Sequence, residues 1–320
     1  MRKSIFLGIF LVNIHLLPAQ KLVPADFSFR SIVADSTDSL NSSNKMLSNV
    51  VTEIILQKDS LVWLGTGLGV SVIRDSLTVD TLPDTTGLVG GISGAHTNRL
   101  PQGGISAMAA SGQGSILLIA VAGSENDIPV GKGIAFTTNA TDDVIKWTYY
   151  DQPIDGKGSV QTSTAGGWMN VLPITVYQAN VTYDIGFSDE FAWIASWAGG
   201  LRNWNTLTKP SFWDRIPLPL DDKFELNTCI NPNEDPDSLW QLESDTVGLN
   251  ITTRYVLRDY ELNPRDPIDG GNHNHKVFSI LTYGDTIWVG TANGINRGIF
   301  GSGDCVDWEH YSYPTHGLSG

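Results

Sequence analysis

Asp285-Thr286-Ile287-Trp288-Val289-Gly290-Thr291-Ala292-Asn293-Gly294-Ile295-Asn296-Arg297 is the stretch that decides the fold. Ile287, Trp288 and Val289 make a short apolar strand, and Ile295 begins a returning one. Between them, Asn293-Gly294 is the dipeptide most typical of a tight hairpin turn. The same pattern stands far upstream, from Leu61 to Val72, where Trp63, Gly65, Thr66 and Gly69 fall at the offsets of Trp288, Gly290, Thr291 and Gly294. Recurrence over such a distance points to a repeat architecture.

Two further copies are worn but traceable. In one, Ile105 to Ala109 is the first strand and Ile116 to Val121 the second, with Leu118 in the Trp place. Gly133-Ile134 then matches Gly294-Ile295 after nine extra residues between Ala122 and Gly133. In the other, Tyr183 to Trp204 carries Trp193 in the strand and Gly199-Gly200-Leu201 at the return. An outer signature runs alongside: Asp143 to Pro153 aligns without gaps to Asp304 to Pro314, which matches Trp147 to Trp308, and Trp213 holds the same place in the third copy. From the first Trp to the closing Pro the distance is 26 residues in the third and fourth copies (193 to 219, 288 to 314). In the second it is 35 (118 to 153), and removing the nine-residue insertion restores 26.

Each unit therefore reads as a four-stranded antiparallel meander with two apolar faces, which it cannot bury alone. Radial stacking of such sheets gives a β-propeller, an all-β fold. The expected blades are about 47–100, 101–180, 181–275 and 276–320. Trp63, Trp147, Trp193, Trp213, Trp288 and Trp308 are expected to pack between them. Gly65, Thr66, Gly290, Thr291, Asn293 and Gly294 are expected to serve packing and turns. Residues 316–320 resemble the lead-in to the first copy, and Leu47 stands 16 residues before Trp63, so a fifth Trp is expected near position 334, past the last residue. The expectation is an incomplete ring of about four blades, truncated at its C-terminus, with an exposed sheet face.

Composition narrows the function. With 34 Asp and Glu against 20 Lys and Arg, the net charge of -14 argues against nucleic acid, since phosphate binding needs clustered Lys and Arg. Arg2-Lys3, an apolar run from Ile5 to Leu17, and Pro18-Ala19-Gln20 read as a signal peptide over residues 1–20. A polar leader follows over 21–46, and no second hydrophobic span remains after cleavage. The expected location is periplasmic, cell-surface or secreted. Cys229 and Cys305 are the two cysteines; export permits a disulfide, and two unrelated thiols are the alternative.

In a meander A-B-C-D, the A–B and C–D turns share one face, and the B–C turn and the D-to-A connection share the other. All long insertions are of the second kind: Gly123 to Lys132, Asp155 to Val181, and Leu220 to Lys276. A ligand face built from loops on a rigid scaffold would sit there, with a glycan, a peptide or a cell-surface protein as partner. Trp197, Asp266, Asp269, His273 and His275 are the binding candidates. The oxygen-rich runs Asn231 to Ser238 and Asn263 to Asn272 lack the spacing of a known calcium loop; a structural calcium ion is the one cofactor they could hold. No nucleophile elbow, zinc helix, phosphate loop or sialidase Asp-box is present, so no catalytic residue is assigned. The alternative to a binding module is an extracellular carbohydrate-active hydrolase or lyase on a propeller scaffold.

Ile287 to Arg297 resembles the two-component regulator propeller repeat, a Trp-[Ile/Val/Leu]-Gly-Thr followed by Asn-Gly-[Leu/Ile]. Trp63 to Val70 fits it with Leu68 where Asn is usual, and Trp193 to Leu201 is looser. The resemblance runs from Asn49 to Gly320 with large gaps. It implies a propeller of the kind found in periplasmic sensor ectodomains of hybrid histidine kinases, which often sense polysaccharide breakdown products. Similar propellers occur in exported proteins without a kinase. The long loops and the spacing from Trp193 to Trp288 depart from the compact sensor type.

Overall fold

The computed structural model describes residues 48, 50–57, 61–74, 78–83, 96–97, 100, 103–111, 115–142, 145–154, 160–162, 167–171, 177–188, 191–205, 213–229, 240–247, 250–262, 271–301, 305–312 and 316. The chain divides after Ser36, and all of these belong to the second unit. The signal peptide lies outside the described residues, as do the leader, Asp266 and Asp269, and the two oxygen-rich runs apart from Gly271 and Asn272.

The described chain is β-structure with one short 3-10 turn at His273–His275. In order the strands are β1 (Val51–Gln57), β2 (Leu61–Thr66), β3 (Gly69–Arg74), β4 (Thr78–Pro83), β5 (His96–Thr97), β6 (Gly104–Ala110), β7 (Leu117–Glu125), β8 (Ile128–Thr137) and β9 (Thr148–Tyr150). Then come β10 (Val160–Thr162), β11 (Gly167–Val171), β12 (Thr182–Ser188), β13 (Phe191–Ser196), β14 (Gly200–Asn205), β15 (Asp214–Ile216), β16 (Glu225–Asn227), β17 (Trp240–Val247) and β18 (Asn250–Leu262). The last four are β19 (Val277–Tyr283), β20 (Thr286–Thr291), β21 (Gly294–Phe300) and β22 (Val306–Tyr311).

Four antiparallel meanders form the blades: β1-β2-β3-β4, β6-β7-β8-β9, β12-β13-β14-β15 and β19-β20-β21-β22. The inner strands stand side by side, β1 against β6, β6 against β12 and β12 against β19. Among the described residues no comparable packing joins β19 back to β1. The architecture is an open arc of propeller blades. Each inner strand carries the same register shift near its start, between Val51 and Glu53, Ile105 and Ala107, Thr182 and Asp184, and Val277 and Ser279. A bulge bends and twists a strand, so one at a constant place turns every blade alike.

Three apolar cores occupy the three interfaces. Trp63, Val70 and Val72 meet Ile105, Leu117, Ile119 and Trp147 between the first two blades. Leu118, Ala120 and Ile134 meet Ile185, Ile194 and Trp204 at the second. Trp193, Leu201 and Ile216 meet Val277, Ile287, Val289 and Trp308 at the third. Trp63 and Trp193 are each 1% exposed. Their indole N–H groups donate to Gln57 Oε1 and Ser188 Oγ, both at 2.7 Å. Trp288, expected to pack between blades like the other motif tryptophans, is 38% exposed, and among the described residues no further blade packs on it.

The glycines of the motif act by close approach. A Cβ on Gly65 would stand 2.8 Å from Ile105 Cγ2 of the next blade. Gly294 has a φ of 131°, and a Cβ there would meet the Tyr311 carbonyl at 2.1 Å. Thr291 and Gly294 form the last pair of the hairpin ladder, so Ala292 and Asn293 make the turn, and neither takes positive φ. The Asn-Gly dipeptide therefore sits one residue later than a type I′ turn would place it. That turn chemistry occurs elsewhere, at Asn126 and Asp127 with φ of 52° and 62°. They tip the β7–β8 hairpin, so the nine-residue insertion of the second copy is a lengthened hairpin rather than a loop.

The longer insertions are also partly ordered. β10-β11 from one and β17-β18 from the other join in a separate four-stranded sheet through a parallel β11–β18 pairing. The first ten residues of the last insertion never leave the fourth blade. β16 pairs with β22 at its outer edge, and Cys229 is disulfide-bonded to Cys305 across a separation of 76 residues. β5 extends the second blade in the same way by pairing with β9.

Two substitutions test these assignments by urea unfolding. Trp193→Ala is expected to lower stability by about 3–5 kcal/mol. Ser188→Ala, which strands the buried indole N–H, is expected to lower it by about 1–3 kcal/mol. Reducing the disulfide, or replacing both cysteines by Ser, is expected to lower it by about 2–4 kcal/mol in the same assay.

Candidate functional site

In the first, third and fourth blades the hydroxyl that ends the second strand, on Thr66, Ser196 or Thr291, closes the B–C turn on the face that carries the insertions. Thr66 Oγ1 donates to the Gly69 carbonyl and accepts from Leu68 N–H. Thr291 Oγ1 likewise accepts from Asn293 N–H and stands 3.2 Å from the Gly294 carbonyl, and Ser196 Oγ accepts from Gly199 N–H at 3.0 Å. In blades three and four the hydroxyl also reaches an asparagine of the incoming connection. Ser196 Oγ donates to Asn180 Oδ1 at 2.9 Å, and Thr291 Oγ1 to Asn274 Oδ1 at 2.7 Å. Asn180 Nδ2 in turn donates to the Pro153 carbonyl at 2.8 Å. Turn and connection are thereby locked into one rigid surface.

At the junction of blades three and four this surface becomes a polar network. The Asp221 carboxylate accepts from His273 N–H at 2.9 Å and Asn274 N–H at 2.7 Å, capping the 3-10 turn. His273 Nδ1 lies 3.3 Å from the same carboxylate, with about half of its side chain exposed. Beneath it, the Asn274 and Asn296 side-chain amides bond each other in both directions at 2.8 Å, and Asn274 Nδ2 also donates to the Pro219 carbonyl. His310 Nδ1 meets Asn296 Oδ1 at 3.0 Å, and Asn293 Nδ2 meets His310 Nε2 at 3.3 Å. These partners assign the His310 proton to Nδ1. Burial holds the His310 imidazole below its ordinary range.

The structure sorts the sequence candidates. His275 is fully buried and bonds the Leu218 carbonyl through Nε2 at 3.2 Å, so it cannot reach a ligand. Burial pushes its pKa down to about 4, Arg215 adds to the depression, and the Leu218 carbonyl and Asp221 oppose it. His273 is accessible but points to Asp221, so the two imidazoles do not share one face as a metal pair. Among the described residues no group of three or more metal-ligating side chains gathers.

Trp197 sits half-buried in the B–C turn of the third blade, and Lys276 Nζ lies 5.4 Å from its ring centroid. That separation is within cation–π range. Lys276 is buried, so the cation is held against the indole by packing. The half-buried Trp197 indole can stack on a planar or pyranose surface, and Lys276 holds the ring in place.

Sequence reasoning missed Lys276, Asp221, Asn274, Asn296 and His310. The repeat gives no signal for them. Tyr149 stands in the second copy where His310 stands in the fourth, and it bonds the Lys132 carbonyl and Asp151 instead.

No family model matches the chain, and no curated protein matches it. Among solved structures, the chain is similar to the WD40 β-propeller domain of Doa1 at 13% identity and a TM-score of 0.33, covering 86% of this chain and 73% of that one. It is also similar to the extracellular domain of BT3049 from B. thetaiotaomicron, described as a hybrid two-component system. Identity there is 15% and the TM-score 0.27, over 84% of this chain and 41% of that one. A third similarity is to the computationally designed Ika8 protein, at 13% identity and a TM-score of 0.21, over 84% of this chain and 90% of that one.

The buried His275 gives a pH dependence of known sign. Its folded pKa of about 4 lies below its ordinary 6.5, so between these values the unfolded chain binds more protons than the folded one. Its contribution is present above pH 6.5 and is lost as pH falls toward 4, by roughly 3 kcal/mol for the full shift. Urea unfolding of His275→Gln, which can still donate to the Leu218 carbonyl, is expected to show a flatter profile across that window than the parent.

Proposed function

We propose that the chain is an exported glycan-binding module of the sensor or adhesion type, and that its ligand face is the one formed by the B–C turns and D-to-A connections. The observation that carries this reading is the Trp197–Lys276 pair, an indole with a fixed cation on the rigid turn of the third blade. Three further features support it. The two longer insertions lie on the connections of this face and pair with each other through β11 and β18. The Cys229–Cys305 disulfide suits an oxidising compartment, in keeping with the signal-peptide pattern of residues 1–20. No helix among the described residues is long and apolar enough to cross a membrane.

The ligand would stack on the partly exposed Trp197, with its hydroxyls bonded by the Asp221 and His273 pair. A binding screen of soluble polysaccharides and their oligosaccharide fragments, followed by calorimetry on each hit, tests the reading. Trp197→Ala is expected to weaken binding at least tenfold, about 1.4 kcal/mol, with the unfolding midpoint little changed. Removing residues 231–270 leaves β16, the disulfide and the Asp221 cap in place, and is expected to narrow or abolish ligand recognition while the blades still fold. Unchanged affinity in the Trp197→Ala protein overturns the assignment of this face.

A further inference from the structure

The register shift that recurs in every inner strand leaves one extra residue at the same place in each blade: Thr52, Ser106, Tyr183 and Phe278. Inner strands line the central channel of a propeller. Here they begin at the D-to-A connections, so these four residues stand at the channel mouth on the face that carries the insertions. In the third and fourth blades the extra residue is a large aromatic. The Tyr183 and Phe278 rings lie 5.7 Å apart between centroids, and each side chain is 41% exposed although it belongs to an inner strand. β12 has β6 on one side, β19 on the other and β13 along its edge, which leaves the channel as the side on which Tyr183 is open. Trp197 is close by, because it follows Ser196, the partner of Thr182. Lys276, whose ammonium stands over the Trp197 ring, comes two residues before Phe278.

The residue after each of these sets the charge: Glu53, Ala107, Asp184 and Ser279 in the four blades. Asp184 accepts from the Ile185 and Ile280 N–H groups at 2.8 and 2.7 Å, yet burial still holds its carboxyl above the ordinary range. Burial raises Glu53 as well, and the charge of Asp184 adds to the shift. None of β1, β6, β12 and β19 contains a Lys, Arg or His to offset these acids. Two open rings beside partly desolvated carboxylates favour a ligand that is apolar on its faces and itself brings positive charge. We propose that the channel mouth is a subsite for a protonated amino sugar, with Tyr183 and Phe278 against the pyranose and Glu53 and Asp184 toward its ammonium. The assignment rests on the glycan-binding reading of the Trp197 face and adds the class of glycan, an oligosaccharide with free amino groups. A sugar chain fits better than a peptide amine, because Trp197 and the Tyr183–Phe278 pair offer successive rings for successive pyranoses.

Calorimetry with a glucosamine trisaccharide, its N-acetylated counterpart and oligolysine tests the proposal. The parent chain is expected to bind the free-amine trisaccharide about tenfold more tightly than the acetylated one. Glu53→Gln, which keeps the side-chain shape, is expected to remove most of that preference. Asp285→Asn makes the same change of charge in the exposed β19–β20 turn on the opposite face and is expected to retain it. Tyr183→Ala is expected to weaken both trisaccharides with unchanged circular dichroism. Equal affinity for the two trisaccharides, or a preference that survives Glu53→Gln, overturns the proposal. If the acetylated trisaccharide is bound and Trp197→Ala still weakens it, the glycan-binding face stands and the amine assignment alone fails. A preference lost equally in Asp285→Asn also overturns it, since the acidic surface as a whole then attracts the amine. Binding of oligolysine with neither trisaccharide bound overturns both readings in favour of a peptide site.

Discussion

No blade of this chain can cover both of its own faces, and everything else in the structure follows from that. A four-stranded sheet with large apolar residues on either side is stable only as a layer between other layers. The three cores are therefore interfaces, each built from half-cores supplied by two blades. The tryptophans do most to join them, because an indole spans the gap between sheets while its N–H still finds an acceptor on its own blade. Glycine at the motif position lets the neighbouring inner strand come close enough for that contact.

Polar chemistry then fixes what apolar packing leaves loose. In the first, third and fourth blades a hydroxyl closes the turn locally, and in the last two it also ties the turn to the incoming connection. At the third junction this grows into the Asn274–Asn296–His310 network, whose side chains are buried and mutually satisfied. Fully paired polar groups of this kind specify one arrangement of neighbouring elements. Lys276 follows the capped 3-10 turn directly, and its ammonium stands over the Trp197 ring of the third blade.

The repeat made the meanders legible, because Trp, Gly and Thr mark strand, close approach and turn at constant offsets. It also placed the insertions between the correct strands. What it could not show was how the inserted residues are used. The Gly123 to Lys132 segment differs from a loop only through two residues with positive φ at its tip, and Asn126-Asp127 carries a weaker signal than the Asn-Gly that drew attention elsewhere. His273 and His275 looked equivalent on paper, yet the 3-10 turn sends one to solvent and one into the core. Trp288 fits the motif best and is the least buried of its kind, since exposure depends on a neighbour and not on the motif. Lys276 was invisible because its role comes from facing Trp197 across a junction, a relation that no single repeat contains.

The fifth strand of the fourth blade has a mechanical meaning. β16 is bonded to β22, Thr228 exchanges hydrogen bonds with Val306 through its hydroxyl, and the disulfide follows at the next residue. The chain is thus anchored before it departs into the long excursion, and is received again at the Asp221-capped turn. Between those two anchors the chain forms the β17–β18 hairpin, and β18 pairs with β11 of the other long insertion and not with a blade. Sequence drift within the excursion is isolated from the interface between the third and fourth blades. The molecule therefore has a segment free to diversify, bolted at both ends to a frame that does not feel the change.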